Sequence, residues 1–163
     1  MPKERLISAD SHVTIRDDAV IEHLPSKYHQ AHEDARAEML ALMAKKAKPK
    51  RENTPAPALP VASEKRPWEA AGRAGEFDPV ERLKDMDIDG VEAEVLYTSV
   101  EAGITYNSIP EGGRLACFQA FNNAALDFAA TDPKRLVVVY IVPIVEIGEA
   151  IAEVQRLARE GAR

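Results

Sequence analysis

Leu6-Ile7-Ser8-Ala9-Asp10-Ser11-His12 is the stretch whose reading decides the fold: a short apolar run near the start of the chain that ends in two metal-capable side chains, two residues apart. Read as a β-strand, with side chains alternating between faces, it sets Asp10 and His12 together at its C-terminal end and turns Ile7, Ala9 and Ser11 to the opposite layer. An imidazole nitrogen beside a carboxylate oxygen suits a divalent transition ion, Zn²⁺ or Mn²⁺, better than Ca²⁺, which prefers oxygen alone. The spacing leaves two readings open: a two-pronged metal ligand, or a polar turn that caps the segment after the strand.

Downstream, strands and helices alternate. Val13 to His29 reads as a long excursion on the side of the two prongs, followed by a helix over about 31–47 with Ala35, Met39, Leu42 and Met43 as its stripe. His23, His29 and His32 fall in this region, but none ends a predicted strand, so none is assigned as a ligand. Residues 45–67 turn abruptly to Lys, Pro, Ala and Glu and read as a flexible, partly polyproline insertion, with Trp68 anchoring its return.

Asp78 then stands as an N-cap before Pro79, with Glu81 three residues on completing a capping-box pattern, and Gly90 suits the left-handed end of that helix. Val91 to Thr98 is a strand in which Val91, Ala93, Val95 and Tyr97 alternate with their neighbours, and a Gly- and Pro-containing loop follows it. A helix over Arg114 to Thr131 has a broad apolar face, within which Asn122 is expected to clamp nearby backbone and not to take part in chemistry. Leu136 to Val142 is a continuous apolar strand of the kind buried on both faces in a parallel sheet. A last helix, Glu146 to Glu160, lines up Ile147, Ile151, Val154, Leu157 and Ala158 and stops at Gly161.

Such alternation demands parallel strands joined by crossovers. An open doubly wound sheet would carry a Gly-rich phosphate loop after its first strand, and none is present. A (β/α)8 barrel instead places active-site groups at C-terminal strand ends, where Asp10 and His12 lie. The fold class is therefore α/β, the N-terminal part of a TIM-type barrel with three parallel βα units.

The chain has 163 residues, 45% hydrophobic and 29% charged, so it reads as one globular domain with a real core. A net charge of -6 argues against a nucleic-acid surface. The apolar runs are too short for a membrane span or a signal peptide, and the single cysteine, Cys117, leaves no internal disulfide; the expected compartment is the cytoplasm.

Ile7 to Val13, Phe77-Asp78-Pro79 to Leu83, Met86-Asp87-Ile88-Asp89-Gly90-Val91-Glu92-Ala93-Glu94-Val95-Leu96-Tyr97, Phe121-Asn122 and Pro133-Lys134-Arg135-Leu136 together resemble the amidohydrolase-related branch of the metal-dependent amidohydrolase superfamily, the branch of aminocarboxymuconate-semialdehyde decarboxylase and resorcylate-type decarboxylases. The resemblance implies that Asp10 and His12 are first-strand metal ligands, with zinc the expected ion and manganese the alternative. It implies a hydrolase acting on a small amide, ester or lactone through a metal-activated water, or a decarboxylase of the same family. It also implies further histidine ligands and a late catalytic aspartate on strands five, six and eight, beyond Arg163, and a homo-oligomer when complete. Barrels of this kind have about 250 residues, so residues 1–163 are expected to be an N-terminal segment, inactive alone and prone to association. The competing reading is a catalytically incomplete fragment or interaction module.

Overall fold

The structure, a computed structural model, describes residues 5–46, 74–98, 100–110 and 112–162. Three parallel strands form one sheet in the order β1 (Leu6–His12), β2 (Val91–Tyr97) and β3 (Leu136–Val139). Helices α1 (Asp17–His23) and α2 (His29–Lys46) follow β1, and α3 (Pro79–Asp89) leads into β2. Helices α4 (Val100–Asn107) and α5 (Gly113–Ala130) connect β2 to β3, and α6 (Ile147–Arg159) follows β3. Among the described residues, no helix is long and apolar enough to cross a membrane. Except for Lys45 and Lys46, which end α2, the expected 45–67 insertion lies outside the described residues, as does Trp68.

The start of α3 follows from its sequence. Asp78 Oδ1 accepts hydrogen bonds from the backbone N–H groups of Val80 (2.8 Å) and Glu81 (3.0 Å), and Pro79 fills the first helical position. Only half of the capping box is made. The Asp78 N–H donates to Ala74 O, and the Glu81 carboxylate takes Lys84 instead. Gly90 closes the helix at φ 71°, where a Cβ would be strained. Asp78→Ala is expected to cost about 1 kcal/mol of stability, measured as a lower denaturant midpoint.

Alternation along β2 sends Glu94 and Leu96 toward the helices, where both are buried, while Ala93, Val95 and Tyr97 face the other side, half-buried or exposed. Leu136 and Val138 of β3 likewise face the helices, and Val137 and Val139 are half-buried on the far side. The apolar run read as Leu136 to Val142 pairs only through Val139. One of its faces is fully covered, not two, because no layer among the described residues lies over the second.

Two apolar clusters meet on α5. Val20, Leu24, Tyr106, Ile109, Phe118 and Phe121 form one, between α1, α4 and α5. Val13, Met86, Leu96, Phe128, Leu136 and Val138 form the other, between the sheet, α3 and α5.

Three expectations are corrected. The excursion after His12 and the loop after Thr98 contain α1 and α4. In α4, Thr105 Oγ1 and Asn107 Nδ2 donate to the carbonyls of Glu101 and Gly103 four residues back, contacts that a Gly- and Thr-containing stretch makes once Tyr106 is packed between Phe118 and Phe121. On α2 only Ala35 of the expected stripe is buried, with His32 beside it, and Leu42 and Met43 are exposed. On α6, Ile147, Ile151 and Val154 point outward, 76%, 53% and 54% exposed, and Ala158 is exposed too, whereas Glu153 and Leu157 are buried. Polar bonds set that orientation. Asn122 Nδ2 donates to Ile141 O (2.7 Å) and Glu153 Oε1 (2.8 Å), and its Oδ1 accepts from Ile141 N (3.1 Å). Asn122 is thus the backbone clamp its place in α5 implied.

Candidate metal-binding strand end

Strand β1 reaches Asp10 and His12 through an irregular step. Ser8 pairs with Glu94 and Ser11 with Leu96, so three residues of β1 advance against two of β2, and one residue bulges out of the ladder. The bulge breaks strict alternation. Ile7 pairs with Ala93 and therefore shares the open face with Tyr97 and His12; it does not lie on the opposite layer as period-two reading places it. Ser8 and Ser11, three apart, meet on the helix side, their hydroxyls 2.8 Å apart.

Past the bulge, Asp10 and His12 approach one another on the open face, His12 Nε2 lying 3.7 Å from Asp10 Oδ1. Both side chains are largely in solvent, and the Tyr97 ring stands beside His12 with centroids 6.1 Å apart. Donor atoms bound at about 2.0–2.2 Å to one tetrahedral ion stand about 3.4 Å apart. The pair thus needs a rotation of a few tenths of an ångström to grip a single ion, and the residues fit a divalent metal. Among the described residues, no group of three or more His, Cys, Asp or Glu side chains converges to hold an ion.

A polar buckle holds this strand end from behind. Ser11 Oγ donates to Glu94 Oε1 (3.2 Å), Arg82 Nε donates to Glu94 Oε2 (2.5 Å), and Arg82 Nη1 donates to the His12 carbonyl (3.3 Å). Backbone bonds from Val13 N to Tyr97 O and from Thr14 N to Glu76 O continue it. Arg82 and Glu94 escaped the sequence reading. The available signal was a glutamate on the buried side of the strand alternation, which demands a cationic partner.

The other candidates sit apart. His23 Nε2 donates to Asp127 (2.8 Å), His29 Nε2 donates to Leu24 O (2.8 Å), and His32 is buried against Tyr106. Burial pushes the Cys117 thiol up to about 11, which keeps it protonated and unreactive at neutral pH.

No family model and no curated protein matches the chain. Solved structures do. An amidohydrolase from Mycobacterium avium subsp. paratuberculosis is similar over 99% of this chain at 16% identity, with a TM-score of 0.64. The 5-carboxyvanillate decarboxylase of Sphingomonas paucimobilis is similar over 96% at 18% identity, TM-score 0.57. A 2,6-dihydroxybenzoate decarboxylase from Rhizobium is similar over 98% at 15% identity, TM-score 0.50. The chain spans 49%, 40% and 37% of those proteins respectively. With three parallel strands, helices on one face and ligand-capable side chains at a strand's C-terminal end, the chain has the fold of part of a (β/α)8 barrel, similar to those solved structures.

Proposed function

We propose that Asp10 and His12 contribute two ligands to a divalent-metal centre, zinc by preference and manganese as the alternative, in an amidohydrolase-type enzyme that hydrolyses a small amide, ester or lactone. The observation that carries this reading is the 3.7 Å approach of an imidazole nitrogen and a carboxylate oxygen at the C-terminal end of a strand in a barrel-type sheet. When bound, such an ion brings the pKa of a coordinated water toward neutrality and polarises a substrate carbonyl. Asp10 supplies negative charge and His12 a neutral nitrogen, and the buckle of Arg82, Glu94 and Ser11 fixes the strand that carries both. Further ligands come from outside the described residues. A second reading, decarboxylation of a small carboxylic acid, is favoured by the likeness to two decarboxylases; there the carbon that loses carbon dioxide takes up a proton.

The complete protein, with the ligands that lie outside the described residues, is expected to retain about one zinc per chain after gel filtration, read by atomic emission. Replacing both Asp10 and His12 by alanine is expected to abolish that metal and any activity. Full stoichiometry in the double variant would refute the assignment. A panel of esters, amides and lactones, run beside carboxylic acids with carbon dioxide release monitored, separates the two reactions.

A further inference from the structure

Helix α6 carries an apolar stripe that the fold leaves uncovered. Ile147, Ile151, Val154 and Ala158, spaced four, three and four residues apart, lie along one side of the helix and are all exposed. Ile144 and Val145, in the bend just ahead of the helix, are exposed as well. The charged side chains in the middle of α6 are engaged elsewhere: Glu149 pairs with Arg114 (3.1 Å), and Arg156 with the buried Glu153 (2.7 Å). The exposed residues from Ile147 to Gln155 are thus Ile147, Gly148, Ile151, Ala152, Val154 and Gln155, none of them charged. A lone exposed isoleucine is ordinary, but a continuous uncharged strip has the composition of an interface centre. Gly148 and Ala152 beside it let a second helix approach closely.

The ends of the stripe indicate what covers it. Glu146 is exposed just before the first turn and Arg159 is exposed in the last. Laid antiparallel against itself, about a two-fold axis between Ala152 and Glu153, the helix sets Ile151 opposite Val154 of the second copy and Ile147 opposite its Ala158. The same axis brings Glu146 opposite Arg159 of the second copy, twice over by symmetry. A parallel pair would instead set Glu146 beside Glu146 and Arg159 beside Arg159, which like charges oppose.

We propose that α6 is a homodimer interface, on which a second copy of this chain packs its own α6 antiparallel. A helix of 13 residues is about 20 Å long. A strip of that length and one helix wide covers less than the ~800 Å² per partner of a tight complex, so dimer and monomer exchange at micromolar concentration. The test needs no metal and therefore stands apart from the assignment of Asp10 and His12.

Sedimentation velocity of the whole chain over a dilution series is expected to show the average mass rising from monomer to dimer with concentration. Ile151→Lys is expected to stay monomeric with an unchanged circular dichroism spectrum, while Ile88→Lys, at an exposed position on α3, leaves the dimer intact. Glu146→Lys and Arg159→Glu are each expected to weaken the dimer roughly three- to tenfold, and the two together to restore it, because the swapped charges meet again across the two-fold. A chain that stays monomeric up to about 1 mM would assign the stripe to a different partner and overturn the proposal. Association that survives Ile151→Lys would belong to the open sheet, and a double variant as weak as the single ones would exclude the antiparallel pairing; either result overturns it. Should Ile151→Lys fail to fold, the charge exchange at the two helix ends decides alone.

Discussion

Arg156→Ala is expected to cost about 3–5 kcal/mol of folding stability at pH 7, because it strips the main counter-charge from a buried carboxylate. Glu153 is fully buried on the inner face of α6. Arg156 donates to both of its oxygens, at 2.7 and 2.8 Å, and to Asn123 at 2.8 Å, while Asn122 supplies one more bond to the carboxylate. Burial pushes the Glu153 carboxyl up, but the hydrogen bonds from Arg156 and Asn122 outweigh it and hold the group below the ordinary glutamate value. A carboxyl depressed in this way adds stability that is fully present above its unfolded pKa, about 4.3, and is lost as pH falls through the folded value. In the variant the sign reverses. Burial then dominates, the carboxyl is raised, and the cost weighs above the unfolded pKa and lifts as the group protonates. Denaturant midpoints should therefore show a gap between the two proteins that narrows from pH 7 to pH 4. A gap that stays constant would mean that Glu153 does not feel the loss.

Glu94→Ala is expected to cost about as much, roughly 3–5 kcal/mol, by leaving the Arg82 guanidinium without its anion at a largely buried place. It also removes the acceptor of Ser11 and loosens the arginine that holds the His12 carbonyl. Two readouts separate this from a general loss of packing. In a double-mutant cycle, Arg82→Met combined with Glu94→Leu should recover much of the loss, since no charge is then stranded. In Glu94→Ala, amide exchange at Val13, whose N–H donates to Tyr97 O, should quicken more than exchange across the β2 to β3 ladder. If both segments lose protection equally, the buckle has no local hold on the end of β1.

What the sequence made legible was local or strictly periodic. Asp78, Pro79 and Gly90 mark the ends of α3 because caps act within one turn, and the polar Asn122 within an apolar face had to find backbone to bond. Parallel order followed from strand and helix lengths. The bulge at Ala9–Asp10 left no such mark, since it comes from how β1 meets β2, and it alone moved Ile7 to the face of His12. The roll of α6 was equally hidden: its apolar stripe suggested what to bury, yet a single glutamate bonded to Asn122 and Arg156 turned Ile147, Ile151 and Val154 outward. Helix α4, with its glycine and threonine, has weak intrinsic propensity and exists through Tyr106 and its neighbours on α5. Asp10 and His12 were legible as residue types; their 3.7 Å approach was not, because it depends on the backbone after the bulge.

Helix α5 carries one further consequence. Phe118, Phe121 and Ala124 belong to the cluster beneath α1 and α4, while Ala125, Phe128 and Ala129, the next turns of the same helix, belong to the cluster beneath the sheet. Neither cluster can lose its packing without releasing the helix that is also the wall of the other. Two cores, each too small to stand alone, are thereby tied into one cooperative unit, and opening of the sheet that carries Asp10 and His12 is coupled to melting of the helices around His32.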